Sequence, residues 1–499
     1  MNTPDRPVLW VARMVLEAAS PLSIGTGRGI GTYDTAVVAD ANGLPAIPAT
    51  TLKGVLRALC RSSFEPDSLK DVFGYAEGED GAPARLSMSW GWCHDGDDEP
   101  VLGRLAPDRG DDSRFSPSGD LIDPVLRFLL AATREATVVR DRVRIGSRGT
   151  VDGTGKFDRT VVPRGVRFSI ELQLNGRQST LDDDRQIWDT ILGILASGDL
   201  SVGGSTRGGL GKLVPVSDST GLRFFERCFV LDDEGFAAYR EFRRASARDG
   251  NIDLLDRISP VPAATVGRRL SLPLEAIDTW RIGGGSVALG SDEVDAVPLR
   301  ESYLDWGPDG RAARVVEAAD ARCVVIPATS IKGALRHRTA FHHRRFRAGH
   351  VFGEAGGSTD DPTDAAIGDL FGSVKARRVP DRSEKEDRGP ETGQIGSIVI
   401  DDAVLDLTGS AHQRIAHVSI DRFTGGARQG LLFDEEVLVG GRLDLHIRLL
   451  PRFEELQEDL RKAFFAALDD LQTGRLALGG ASGRGHGRFR KIEAGGGAQ

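Results

Sequence analysis

Ile47-Pro-Ala-Thr-Thr-Leu-Lys-Gly-Val-Leu-Arg57 and Ile326-Pro-Ala-Thr-Ser-Ile-Lys-Gly-Ala-Leu-Arg336 are two copies of one motif. Each reads as a strand-like entry, a Pro-Ala-Thr turn, and the first turn of a helix carrying Lys and Arg. A repeat at this separation has to be read before any fold is assigned. Other segments recur in the same order. Val72-Phe-Gly74 returns as Val351-Phe-Gly353 at the motif's own offset of 279 (351 − 72), with Asp369-Leu-Phe-Gly372 as a rival partner. Leu195-Ala-Ser-Gly198 and Gly203-Gly204 return as Leu471-Gln-Thr-Gly474 and Gly479-Gly480, at an offset of 276 (479 − 203). Four matches in one order imply two like domains, 1–216 and 267–499, joined by a connector at 217–266. Within each, strands alternate with fewer helices and with hairpin tips, which predicts an α+β fold.

Composition limits the function classes. The 499 residues exceed one ordinary core. A net charge of −9 argues against an indiscriminate nucleic-acid coat, but leaves room for a local basic groove. The four cysteines (Cys60, Cys93, Cys228 and Cys323) are scattered and form no CxxC pair, so neither a structural zinc nor a disulfide framework is expected. No basic-then-apolar leader opens the chain, and its apolar runs are too short to cross a bilayer. The expected compartment is the cytoplasm.

Residues 75–120 are polar, acidic and rich in Gly, Pro and Asp, and read as a long insertion. The helix starts at Lys53/Arg57 and Lys332/Arg336 suit a phosphate, because N-terminal amides and two cations converge there. The alternative is a charged helix start packed through its apolar face. Recurrence of both cations favours function. The glycine loops Gly203–Lys212 and Gly479–Arg488 let backbone N–H groups approach a polyanion, with Arg207, Lys212, Arg484 and Arg488 at hand. No Walker spacing is present. Asp34 and Asp295 lie upstream of the two motifs, with Asp292 a rival to Asp295; an acid there suits deprotonation of a 2′-OH or a divalent metal, although loop aspartates more often cap turns. Arg422-Phe423-Thr-Gly-Gly-Ala-Arg428 mixes an aromatic with cations at a hairpin tip, which suits base stacking; a plain exposed hairpin is the alternative. Its counterpart spans Arg144–Phe157. No Ser-His-Asp pattern competes, and His342-His343 reads as a solvated or RNA-facing pair.

The order of glycine loop, Asp, Ile-Pro-x-[Thr/Ser]-[Ser/Thr]-[Leu/Ile]-Lys-Gly-x-Leu-Arg, Phe-Gly, Arg-rich tip with Phe-Asp-Glu, and terminal glycine loop resembles the RAMP superfamily, the repeat-associated proteins of CRISPR systems. More narrowly it is similar to the backbone subunits of type III effector complexes, here as a tandem fusion. The resemblance implies a ferredoxin-like (RRM-like) core with a thumb hairpin in each unit. It implies a subunit of an antiviral complex that grips CRISPR RNA, with the thumbs splaying the guide–target duplex. By the same resemblance, Asp34 and Asp295 would cut target RNA with a divalent metal such as Mg2+. Lys53, Arg57, Lys332, Arg336 and the terminal loops would hold guide phosphates, and residues around 146–156 and 422–430 would form the thumbs. The other readings are a non-catalytic guide scaffold and a stand-alone endonuclease that processes precursor CRISPR RNA. The latter class relies on a histidine, for which His486 is the candidate.

Overall fold

A computed structural model describes residues 5–27, 36–78, 80–106, 112–145, 151–218, 221–242, 258, 267–285, 287–290, 294–307, 310, 312–348, 362–373, 394–408 and 410–492. Asp34, Asp292 and Val351-Phe-Gly353 lie outside the described residues.

In the first unit, strands Pro7–Ala18 and Arg167–Arg177 pair antiparallel at the centre of a sheet. Leu213–Pro215 joins the outer side of the first strand, while Leu86–Met88 and Gly91–Cys93 join the second. In chain order this is fourth–first–third–second, with the motif helix Ala49–Cys60 and helix Leu181–Ala196 as the two crossovers. That arrangement is the ferredoxin-like fold. The alternation of Pro7–Ala18 explains why both its faces are apolar. Val8, Trp10, Ala12, Met14 and Leu16 enter the main core. Leu9 and Val11 face the other way, onto Phe225, Phe229 and Phe242. Those three come from strand Phe224–Val230, which pairs with the first strand, and from helix Asp233–Phe242. The strand inside the sequence-defined connector is thus part of the first sheet.

The second unit repeats the plan. Its sheet runs Ile398–Ile400, Arg442–Leu449, Arg268–Ala276, Phe489–Lys491, again second–third–first–fourth. The motif helix Ala328–Ala348 and helix Glu458–Gln472 cover it, closing a core of Ile331, Leu335, Leu445, Ile447, Phe464 and Leu468. Each unit also sends out a hairpin between its second and third core strands. One is Val139–Ile145 with Val151–Thr160; the other is Ala411–Ile420 with Ala427–Val439.

Backbone geometry confirms the duplication. Ser205 and Ala481, neither of them glycine, both turn left-handed at φ 59° and 58°. Each opens a one-turn 3-10 helix closed by a left-handed glycine, Gly209 or Gly485. Non-glycine residues enter this region at a cost, so the coincidence marks one inherited loop shape.

Three expectations need correction. Residues 75–120 are not simply an insertion: Leu86–Met88 and Gly91–Cys93 supply the second core strand, too short and too glycine-broken to show as a strand pattern. His342 and His343 are buried, not solvated. They lie on the motif-helix face packed against helix Glu458–Gln472, where His342 Nε2 meets Asp470 at 2.7 Å. The partner of Gly74 is Gly372, not Gly353. Arg57 Nη1 donates to the Gly74 carbonyl and Arg336 Nη1 to the Gly372 carbonyl, both at 3.0 Å.

The residues separating Leu299 from the second motif have a structural task. Strands Tyr303–Asp305 and Arg314–Val316 form a small hairpin laid on the first unit. Trp306 Nε1 donates to the Gly165 carbonyl at 2.7 Å, the Arg167 guanidinium lies 4.0 Å over the Trp306 ring, and Leu304 enters the first core. This clasp fixes how the units meet.

Candidate nucleic-acid interface

The units meet head to tail. The glycine loop ending the first unit lies on the first turn of the second unit's motif helix. A Cβ on Gly209 would collide with Ala328 and Asp402, and Gly209 is itself left-handed at φ +87°. Glycine is required there on both counts. Asp402 Oδ1 accepts from the Ala328 N–H at 2.8 Å, capping the helix, while its other oxygen takes Arg140 from the first unit's thumb at 2.9 Å. Arg140 is also paired with Glu301. Lys212 reaches Asp401 at 3.0 Å. The acids at this junction are therefore largely consumed.

The cations around them are not. Lys332 and Arg207 form no ion pair among the described residues. Arg142, from the thumb, donates to Ser205 Oγ of the glycine loop at 2.9 Å. Burial pushes the Lys332 ammonium down to about 8, helped by Arg336, Arg207 and Arg142. Burial likewise lowers Arg142 to about 10, with Arg159 and Arg140 adding repulsion. Arg207 is lowered by burial and then by Arg448. Among the described residues, Arg207 Nη1, Arg159 Nε and Arg448 Nε are buried with no hydrogen-bond partner, although Arg159 also donates to Ser23 Oγ and Arg448 lies 3.9 Å from Asp401. Buried cations without a paired acid are costly, and Lys332, Arg207 and Arg142 cluster here.

The two free ends of the molecule repeat half of this site each. At the first motif helix, Lys53 is lowered by burial and then by Arg57. Ala49 is half-buried where its equivalent, Ala328, is fully covered. At the far end the second glycine loop is open. Arg488 is exposed, and Arg484 reaches Glu435 at 3.1 Å while lying 5.6 Å over Phe433. The recurrence of Arg57 and Arg336 also has a packing reason, since each holds the carbonyl of a helix-capping glycine. Recurrence argues for phosphate binding more cleanly at Lys53 and Lys332.

The acid loops align by register. Gly25 bridges Val37, and Gly283 bridges Pro298. Three residues back from each partner stand Asp34 and Asp295, so Asp295, not Asp292, is the equivalent of Asp34. Asp295 is exposed, and its Oδ2 accepts from the Asp434 N–H at 2.9 Å. Beside it, buried Glu435 gathers Arg281 at 3.0 Å, Arg484, and His417 at 2.5 Å. Burial opposes ionisation of Glu435, but these three donors outweigh it and hold the carboxyl low.

The thumbs match better than their tips suggest. Arg142 faces Phe157 across one hairpin, and His417 faces Phe433 across the other. Both phenylalanines are exposed, and His417 stacks on Phe433 with centroids 4.8 Å apart. At the second tip, Asp421 accepts from the Phe423 and Thr424 N–H groups, turning Phe423 out to 88% exposure between Arg422 and Arg428.

Two histidines sit in buried hydrogen-bonded arrangements. Ser169 Oγ, His94 Nε2 and Nδ1, and Asp98 Oδ1 form a chain of 2.8 and 2.7 Å contacts, a triad geometry that no sequence spacing marks. All three residues are buried, Ser169 is mid-strand, and Arg167 and Arg223 both bind Asp98. Burial and these two arginines hold His94 near 3, hence neutral. It is a strut. His486 is buried too, with Nδ1 2.9 Å from Thr279 Oγ1.

Tandem ferredoxin-like units with thumbs, glycine loops and a cationic junction define a class of RNA-handling proteins. The model of the RAMP superfamily matches residues 15–214 and again 274–490, and the chain belongs to that superfamily. No curated protein matches the chain. Membership brings a CRISPR-associated, RNA-binding role.

Proposed function

We propose that this chain is a two-unit backbone subunit of a type III CRISPR effector complex. It binds guide RNA along successive motif helices, and its loop aspartates cut target RNA. The observation that carries the reading is the junction, where Arg142, Arg207 and Lys332 converge and form no ion pair among the described residues. A sugar–phosphate strand supplies that charge. The half-sites at Lys53 and at Arg484/Arg488 extend the path onto neighbouring subunits, which would meet this chain as its own units meet.

Cleavage would follow from geometry more than from covalent chemistry. The thumbs, with Phe157, Phe433 and Phe423 exposed, suit unstacking of a duplex. A splayed nucleotide places its 2′-OH in line with the adjacent phosphorus, and attack there leaves a cyclic phosphate. Asp295 Oδ1 faces no partner among the described residues and is the oxygen available to take that proton. No group of three metal-ligating side chains exists among the described residues. Asp295 and its counterpart Asp34 are the residues that would hold a Mg2+ ion. The ion would stabilise charge developing on the phosphate. The burial of His486 weighs against the precursor-processing reading.

The test is target-RNA fragment mapping in the assembled complex with Asp34→Ala, Asp295→Ala and the double variant. Each single variant should delete its own set of cuts without loss of RNA binding. Unchanged fragments in the double variant would leave a guide scaffold alone.

A further inference from the structure

The first unit has a second aromatic surface, away from the thumbs and the junction. Trp90 and Trp92 project from the same side of the Gly91–Cys93 strand, with ring centroids 5.9 Å apart and planes 17° from parallel. They line a cleft of about 360 Å³ together with Ala41, Leu102 and Arg104. That volume is in the range of small-ligand sites, roughly 300–1,000 Å³. Trp90 is 38% exposed and Leu102 69%, in a protein whose other large apolar side chains are mostly buried.

The two walls are tied to each other at a fixed spacing. Asn42 donates from Nδ2 to the Gly103 carbonyl and accepts at Oδ1 from the Leu105 N–H, both at 2.9 Å. Asp40 accepts from the Asn42 and Leu44 N–H groups, so its carboxylate serves the turn. The cleft is open because its rim is built open. Of the two charged residues on the lining, Asp40 is engaged by its own turn, while Arg104 is exposed and has no ion pair among the described residues.

We propose that this cleft takes one unpaired nucleotide of a bound RNA, the base stacked on Trp90 and the phosphate on Arg104. The inference rests on the RNA-binding reading above. The Ala39–Asn42 wall continues directly from Val37 and Val38, which bridge the glycine loop that follows the first strand. Ala46 pairs with Trp92, and Ile47 leads through Pro48 into the motif helix that carries Lys53, so the cleft lies beside the half-site of the first unit. An indole face with one free guanidinium suits a base of any sequence better than a specific peptide.

The test uses the full chain with a single-stranded oligouridylate of about ten nucleotides, a length in the range that such surfaces engage. Affinity and tryptophan fluorescence are followed together. Wild type should bind with quenching. Trp90→Ala should lose both, with affinity down at least about fivefold. Trp90→Phe should keep affinity while losing most of the quenching, and Arg104→Ala should weaken binding. Trp90→Ala with undiminished RNA affinity overturns the cleft and leaves the RNA-binding reading standing. The same result with loss of a protein neighbour from the assembly reassigns the cleft to protein contact. Wild type with no RNA affinity overturns both.

Discussion

Lys332→Met should stabilise the free protein and weaken its hold on RNA. The Lys332 ammonium falls from the ordinary 10.5 to about 8, through burial and then Arg336, Arg207 and Arg142. At 1.36 kcal/mol per pH unit this is a folding penalty of about 3 kcal/mol at pH 7. The sign follows from proton counts. Between pH 8 and 10.5 the unfolded chain holds more protons, so the penalty is full below pH 8 and fades as pH rises to 10.5. Methionine keeps the stem and removes the charge. The second unit's melting temperature should rise by several degrees, at roughly 2–4 °C per kcal/mol for a domain of this size. RNA should raise the lysine's pKa again, so wild-type affinity should be flat below pH 8 and decline above it. The variant should lose that pH dependence, and its log-affinity against log-salt slope should shrink by roughly 0.7. Differential scanning fluorimetry and anisotropy titrations across salt read both effects. A lowered melting temperature, or an unchanged salt slope, would refute the view that these cations await a polyanion.

Two further outcomes probe the frame around that site. Asp402→Ala removes the cap on Ala328 and one of the two acids on buried Arg140, and should cost about 3 kcal/mol, read as earlier denaturant unfolding with the two units separating. Asp470 sits near 2 because hydrogen bonds from Arg475, His342 and Arg338 outweigh the opposing effect of burial. Its contribution, roughly 2 kcal/mol, should be present above pH 4 and vanish as pH falls to 2; Asp470→Asn should flatten that acid limb in pH-dependent unfolding.

The repeat made most of the architecture legible. Two motif copies and two glycine loops predicted two like units, and the left-handed pair Ser205 and Ala481 carries the same alignment in the backbone. What was hidden depended on contacts between units. Nothing local marks Arg142 and Arg207 as neighbours of Lys332, or Arg159 and Arg448 as neighbours of those two in turn, because the thumb, the glycine loop and the second sheet meet only when the fold closes. Nothing in the repeat marks the residues after Leu299 as the clasp through which Trp306 reaches Gly165. The Arg57 and Arg336 recurrence was read as functional, while half its reason is a capped glycine carbonyl. Short strands such as Gly91–Cys93 escape a period-two pattern because too few residues repeat.

The most direct test is ultraviolet crosslinking of the RNA-loaded assembly, followed by mass spectrometry of the crosslinked peptides. If guide RNA crosses the junction, crosslinks should fall in Ser201–Lys212 and Thr329–His337 of the same chain. RNA recovered with no crosslink in either segment would contradict the account.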